Sequence, residues 1–221
     1  MANSKTILFT FLLLLFHTFL FSLLATASYY QNISPAYLGF REEKLTHIHF
    51  YFHEIVSSPN PSLVFALEPL KGKSKSPLPF GSLAMIEDPL TVGPKLDSKM
   101  VGKAQGFYIS AAHQEGTDLE LVMGMTFAFT DGEYNGSTLS VLGRNPISSA
   151  VREMPIVGGT GSFRFARGFT QARTIHVEHS TGDAVVEYNV FVFHYSSLSL
   201  QGFNDGVEFM TDPVLNRIQN F

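Results

Sequence analysis

Between Thr46 and Tyr195 the chain consists almost entirely of short extended segments, and this restricts its possible folds more than any other feature. Thr46–Val56, Ser62–Leu67, Phe80–Glu87, Met100–Ala111, Leu119–Thr130, Ser137–Leu142, Val151–Val157, Ser162–Phe165, Gly168–Glu178 and Ala184–Tyr195 are rich in Val, Ile, Phe, Tyr and Thr. Clusters of Gly, Pro, Asn or Asp separate them, and no long window carries an apolar period of 3.6 residues. An all-β protein is predicted, either a sandwich or a barrel. Leu119–Phe129 is apolar at every odd position and small or apolar at most even ones, and Ala184–Tyr195 is apolar on both faces. Strands wetted on one side do not read this way. A closed barrel whose outer wall is covered by a second subunit accounts for the pattern.

The stretch Ala150–Gly168, AVREMPIVGGTGSFRFARG, reads as strand, glycine turn, strand. Successive side chains of a strand alternate between faces, so Arg152 shares its face with Met154 and Ile156, while Val151, Pro155 and Val157 take the other. The plain alternative for Arg152 is a solvated guanidinium on an edge strand. Gly158, Gly159 and Gly161 are expected to make the reversal, because they supply backbone freedom that β-branched residues lack. No helical pattern follows them and no Lys-Ser/Thr completes a phosphate loop.

Parity also isolates an acid. In Thr46–Val56, Glu54 alternates in phase with Ile48, Phe50, Phe52 and Val56. A carboxyl on an apolar face has its pKa raised by desolvation and suits general acid chemistry; the alternative is a strand-end glutamate reaching water. His47-x-His49 followed by Glu54 imitates the metal spacing of cupins, but the histidines and the glutamate have opposite parity and the flanking glycines are missing. Histidines on a polar outer face, with no metal, are expected. Between Met100 and Ala111 one face holds Gly102, Ala104, Gly106, Tyr108 and Ser110, either a pocket wall beside one phenol or glycines that accommodate strand coiling.

VREMPIVGGTGSFRFARG closely resembles the signature of plant dirigent proteins. The similarity extends through HFYFHEI (His49–Ile55), GKAQGFY (Gly102–Tyr108), YNGSTLSVLGRN (Tyr134–Asn145) and GDAVVEYNVFVFHY (Gly182–Tyr195), and covers about residues 45 to 195. The resemblance implies an eight-stranded antiparallel β-barrel of the dirigent and allene oxide cyclase type. It also implies an interior pocket in which Glu54, Tyr108 and Arg152 carry the chemistry and Phe52, Asn145 and Thr174 line the substrate. Arg173 and Thr174 have opposite parity, and Thr174, in phase with Thr170 and Ala172, is expected inside. Two departures stand out: Glu54 replaces the usual Asp, and Asn145 stands where lignan-forming members carry an Asp. An amide cannot shuttle a proton, so one acid and one amide remain where the family pattern has two acids.

The activity implied is stereochemical control over coupling of coniferyl alcohol-type phenoxy radicals to optically active lignans, the radicals being made by a separate oxidase or peroxidase. The alternatives are dehydration and cyclisation through a quinone methide, as in the pterocarpan-forming members, and a non-catalytic cell-wall binding module. No cofactor is expected. The phenolic partner is a small molecule, and a homo-oligomer, dimer or trimer, would cover the outer wall.

Targeting follows from the first residues. MANSK precedes an apolar run from Ile7 to Leu24 and the small residues Ala25-Thr26-Ala27. This predicts a secretory signal peptide, residues 1–27, rather than a membrane anchor, and places the product in the extracellular space, the plant apoplast. A flexible lead-in is expected over 28–44, the barrel over 45–195, and a C-terminal extension of unread role over 196–221. The sequons at Asn32 and Asn135 fit secretion; the chain has no cysteine, which rules out disulfides and Cys-zinc sites, and a secreted domain this long can do without disulfides if its core is large. Loss of Lys5 would take the formal charge from −4 to −5, and a mildly acidic chain without a basic cluster argues against nucleic acid or anionic membranes as partners. The loop from Pro69 to Pro79 is basic and proline-bounded, as a solvent excursion would be.

Overall fold

The computed structural model describes residues 3–24, 30, 32–67, 78–111 and 119–197 of the 221. The chain divides into two units, Met1–Leu38 and Gly39–Phe221. In the first, the apolar run forms one helix, α1 (Ser4–Leu24), and Pro35–Leu38 form a short 3-10 turn. The expected cleavage site, most of the basic loop and nearly all of the C-terminal extension lie outside the described residues.

The second unit is an antiparallel ring of strands. In chain order these are β1 (Phe40–Glu54), β2 (Leu63–Leu67), β3 (Leu83–Thr91), β4 (Met100–Ser110), β5 (Glu120–Phe129), β6 (Thr138–Pro146), β7 (Arg152–Thr160), β8 (Arg167–Val177) and β9 (Ala184–Ser197). Neighbours run β1-β9-β8-β7-β6-β5-β4-β3-β2, and a further pairing of β1 with β3 closes the ring. β1 and β2 lie end to end along β3, because Phe52 pairs with Leu90 and Leu63 with Ile86. Counted as one interrupted strand, they make the ring eight-stranded, as expected.

The interruption is local. Carried two residues on, the β1–β3 register sets Glu54 beside Asp88, so a single residue of β3, Glu87, separates the two pairings while β1 and β2 are separated by Ile55–Ser62. The Glu87 N–H donates to the Ser62 carbonyl at 2.8 Å. Two residues on, the nitrogen of Pro89 points the same way, just past the last β1–β3 pair at Phe52 and Leu90, where a missing N–H loses no ladder bond. β3 therefore continues to Thr91 rather than ending at Glu87, which brings Asp88 into the sheet.

Several expectations need correction. β1 begins at Phe40, inside the expected lead-in, because Glu43 and Lys44 pair with Tyr195 and His194 and Arg167 binds Glu43. β7 runs on through Gly158 and Gly159 to Thr160. The reversal falls to a 3-10 turn at Gly161–Phe163, so the strand expected over Ser162–Phe165 does not form. Gly161 has φ +61°, which favours glycine. Phe163 instead turns inward and is fully buried.

One end of the ring is closed by aromatic packing. Phe50 meets Phe127 at 4.9 Å between ring centroids, Phe129 meets Phe163 at 5.7 Å, and Phe163 meets His194 edge-on at 4.9 Å. His194 Nδ1–H donates to the Ser162 carbonyl and Nε2 accepts from the Thr46 hydroxyl. Burial, the largest influence on it, pulls its pKa down.

The small inner face of β4 is explained by approach of the β5 backbone rather than by open space. A Cβ on Gly106 would lie 2.2 Å from the Gly124 carbonyl oxygen, and one on Gly102 2.3 Å from that of Ala128. We expect Gly106→Ala to lower stability by about 1–3 kcal/mol or more, since the obstacle is backbone. Urea unfolding checks this, and an unchanged midpoint would contradict the close-approach account.

Candidate active site

At the opposite end, where β1 and β6 finish and β7 begins, the inward positions become polar. Alternation delivers Glu54 from β1, Tyr108 from β4, Asn145 from β6, Arg152 from β7 and Thr174 from β8, with Phe52 one inward position before Glu54. Arg173 faces outward and pairs with Glu187, as parity predicts. His47 and His49 also face outward, on Asn189 and Glu187, opposite in sense to Glu54.

Two interior groups escaped the sequence reading. Asp88 is completely buried; its Oδ1 accepts a short bond from the Ser62 hydroxyl and its Oδ2 has no protein partner. The alternation Ile86, Asp88, Leu90 would have revealed it had the strand been extended past Glu87. Tyr188 of β9 is buried against Phe50, 5.7 Å between centroids, and faces Arg152 and both carboxyls. It lies in a run apolar on both faces, so nothing in its pattern distinguished it.

Electrostatics follow from burial. Desolvation, with the Asp183 charge adding to it, pushes Glu54 up to about 7. Desolvation pushes Asp88 up to about 8; the Ser62 bond opposes this and neighbouring Glu54 adds to it. Burial and the same two acids raise the Tyr108 phenol further, so it stays a neutral donor. Arg152 is 3 % exposed, donates to Thr174 Oγ1 at 2.6 Å and to the Ile147 carbonyl at 3.4 Å, and has its Nε unpartnered. No carboxylate pairs with it among the described residues. Asn145 spends its amide N–H on the Met123 sulfur at 2.7 Å and leaves Oδ1 unsatisfied. Thr170 Oγ1 is likewise buried without a partner. Among the described residues these four buried polar atoms thus have no protein partner, and each can be met by a bound molecule or by water.

The expectation of one acid and one amide is thus incomplete. The amide at 145 lies inside, and a second acid enters from β3. Two coupled carboxyls titrating near neutrality can hold one proton between them, one acting as acid and the other as base. An unpaired guanidinium and a neutral phenol beside them can stabilise a developing oxyanion.

Fold and interior together define a closed antiparallel β-ring with an acid–base interior. The model of the Dirigent-like protein family matches residues 45–193, and the chain belongs to the dirigent family. It is 58% identical over 187 residues to pterocarpan synthase 1 of Glycyrrhiza echinata, covering 84% of this chain and 97% of that one. To pterocarpan synthase 1 of Glycine max it is 59% identical over 187 residues, covering 84% and 98%. Dirigent protein 21 of Arabidopsis thaliana is 45% identical over 190 residues, covering 83% and 98%. Among solved structures, that of the pterocarpan synthase dirigent protein GePTS1 superposes with a TM-score of 0.68 at 59% identity, covering 76% of this chain and all of that one.

Proposed function

We propose that this chain is a dehydratase and cyclase of the pterocarpan synthase type, acting on an isoflavanol through a quinone methide. The paired inward carboxyls, Glu54 and Asp88, are the observation that carries this reading. The similarity to two pterocarpan synthases supports it over the radical-coupling activity first expected. One carboxyl gives its proton to the benzylic hydroxyl, which leaves as water as the C–O bond breaks. The other takes the proton of the conjugated phenol, and the substrate becomes a quinone methide. Arg152 and Tyr108 stabilise the quinone methide oxygen, while Phe52, Asn145 and Thr174 hold the rings. A second phenol of the substrate then adds to the methide carbon and gives up its proton as the first phenol regains one. The net change is loss of one water, with no electron acceptor needed.

Purified protein given an isoflavanol alone should consume it and yield one enantiomer of a cyclised product on chiral chromatography. No consumption would overturn the reading. Enantiomeric excess with coniferyl alcohol plus a laccase instead would establish radical coupling, and activity in neither assay would leave the binding-module reading.

The same reading places the mature protein in the apoplast as a homo-oligomer, glycosylated at Asn32 or Asn135. The exposed outer-wall residues Val122, Leu142, Phe169 and Phe193 support a covered wall. Mass spectrometry of extracellular protein should find an N-terminus near Ser28, added glycan mass and a native mass above one chain. Retention of residues 1–27 or a monomeric native mass would contradict the respective claim.

A further inference from the structure

The segment Ile55–Ser62 interrupts the ring beside Asp88 and is fastened at both ends. At its base the Ser62 N–H donates to the Ile55 carbonyl at 2.8 Å, and the Ile55 N–H donates to Ser62 Oγ at 2.8 Å. Asp183, in the turn before β9, accepts the N–H groups of Val56 and Ser57 at 2.7 and 2.9 Å and the Ser57 hydroxyl at 2.6 Å.

A serine hydroxyl has one proton to give. Ser62 Oγ already accepts from Ile55, and of the two acceptors within its reach it directs its own proton to the nearer, Asp88 Oδ1, rather than to the Ile55 carbonyl at 3.4 Å. With Oδ1 committed as an acceptor, the proton of the neutral carboxyl belongs on Oδ2, which is buried and meets no protein partner. Asp88 is faced by Glu54 from β1, Tyr108 from β4 and Tyr188 from β9; Arg152 from β7 acts on Tyr188, and Asp183 acts on Glu54.

We propose that Ser62 is a positioning residue for proton transfer: by occupying Asp88 Oδ1 it sends the carboxyl proton to Oδ2, the oxygen that meets a bound molecule. The proposal rests on the acid–base reading above and names the residue that aims its second acid. In that reaction Oδ2–H passes its proton to the departing hydroxyl, the C–O bonding electrons leave with the water formed, and Asp88 becomes a carboxylate still bonded to Ser62. It recovers a proton from the phenol that closes the ring.

Infrared spectroscopy tests the orientation without activity. The carbonyl band of protonated Asp88 is the one that Asp88→Asn abolishes. In Ser62→Ala this band should move to higher frequency, because its C=O loses a hydrogen-bond donor. In Ser62→Thr it should stay in place, as it should in Ser57→Ala, which loosens the same segment at its other anchor. With an isoflavanol, Ser62→Ala should lower kcat on the order of ten- to a hundredfold, less than the about 10²–10⁴-fold expected for losing an acid outright. KM should stay within about twofold, since no substrate contact is removed. The basic limb of the kcat profile should move to higher pH, because the Ser62 bond favours ionised Asp88. Ser62→Thr should restore both. An unshifted band, or a rate loss that Ser57→Ala reproduces with raised KM and an unmoved limb, overturns the proposal. Should Ser62→Ala not fold, Ser62→Cys, a weaker donor, should give a smaller shift in the same direction. If the wild type consumes no isoflavanol the acid–base reading fails, while the infrared arm still decides whether Ser62 orients Asp88.

Discussion

Glu54→Gln is expected to lower turnover of an isoflavanol by about 10²–10⁴-fold, the usual effect of removing a general acid or base. The amide keeps the shape and the hydrogen-bonding capacity of the carboxyl but has no proton to exchange near pH 7. Glu54 ends β1 on its inward face, level with Asp88, and burial holds it near neutrality. Ligand affinity, followed by fluorescence or calorimetry, should change far less than the rate. Arg152→Ala should instead weaken both, because it removes the charge beside the bound oxygen and leaves Thr174 without its donor. Should the protein act on radicals made elsewhere, Glu54→Gln would abolish enantiomeric excess while radical consumption continued. Full turnover and full stereocontrol in the variant would exclude Glu54 from the chemistry.

The second large effect is on stability against pH. Glu54 and Asp88 have folded pKa values raised to about 7 and about 8, above ordinary carboxyl values of 4.5 and 3.8. A group raised on folding contributes stability that is fully present below its unfolded pKa and is lost as pH rises through the folded one. Wild type should therefore lose stability between about pH 4 and pH 8. Asp88→Asn and Glu54→Gln cannot ionise and should not lose their share. From pH 4 to pH 9, Glu54→Gln should gain on wild type on the order of 3 kcal/mol and Asp88→Asn on the order of 6 kcal/mol, at about 1.4 kcal/mol per pKa unit. The buried histidines His53 and His194 have lowered pKa values and act with the opposite sign, as pH falls below about 6.5. They are common to all three proteins and cancel in the difference. Denaturant midpoints at several pH values provide the test; a variant-to-wild-type difference independent of pH would mean the carboxyls are not buried as described.

Two carboxyls and an unpaired arginine oppose folding above neutrality, and the aromatic closure around Phe50, Phe127 and Phe163 at the other end supplies apolar burial that offsets them.

Alternation of side chains, a property of one strand at a time, separated the face of Glu54 from that of His47 and His49 and the face of Thr174 from that of Arg173; that Arg152, Glu54, Thr174 and Tyr108 face inward was implied by the family resemblance. Where a decision depended on a neighbouring strand, the sequence alone did not make it. Gly106 looked like pocket space until the β5 backbone was found against it. The glycines after Ile156 looked like a turn, but β6 pairs with them and Phe163 makes the turn by burying its ring. Asn145 suggested that an acid had been lost, whereas the second acid comes from Asp88, a strand expected to stop one residue earlier. That residue becomes a candidate acid only because β1 and β2 break beside it, setting Glu54 at its side and Ser62 on one of its oxygens. Parity is local and periodic, so the order of residues along one strand reveals it; the pKa of a buried carboxyl depends on desolvation and on charges brought together from distant parts of the chain, and only ring closure brings them there.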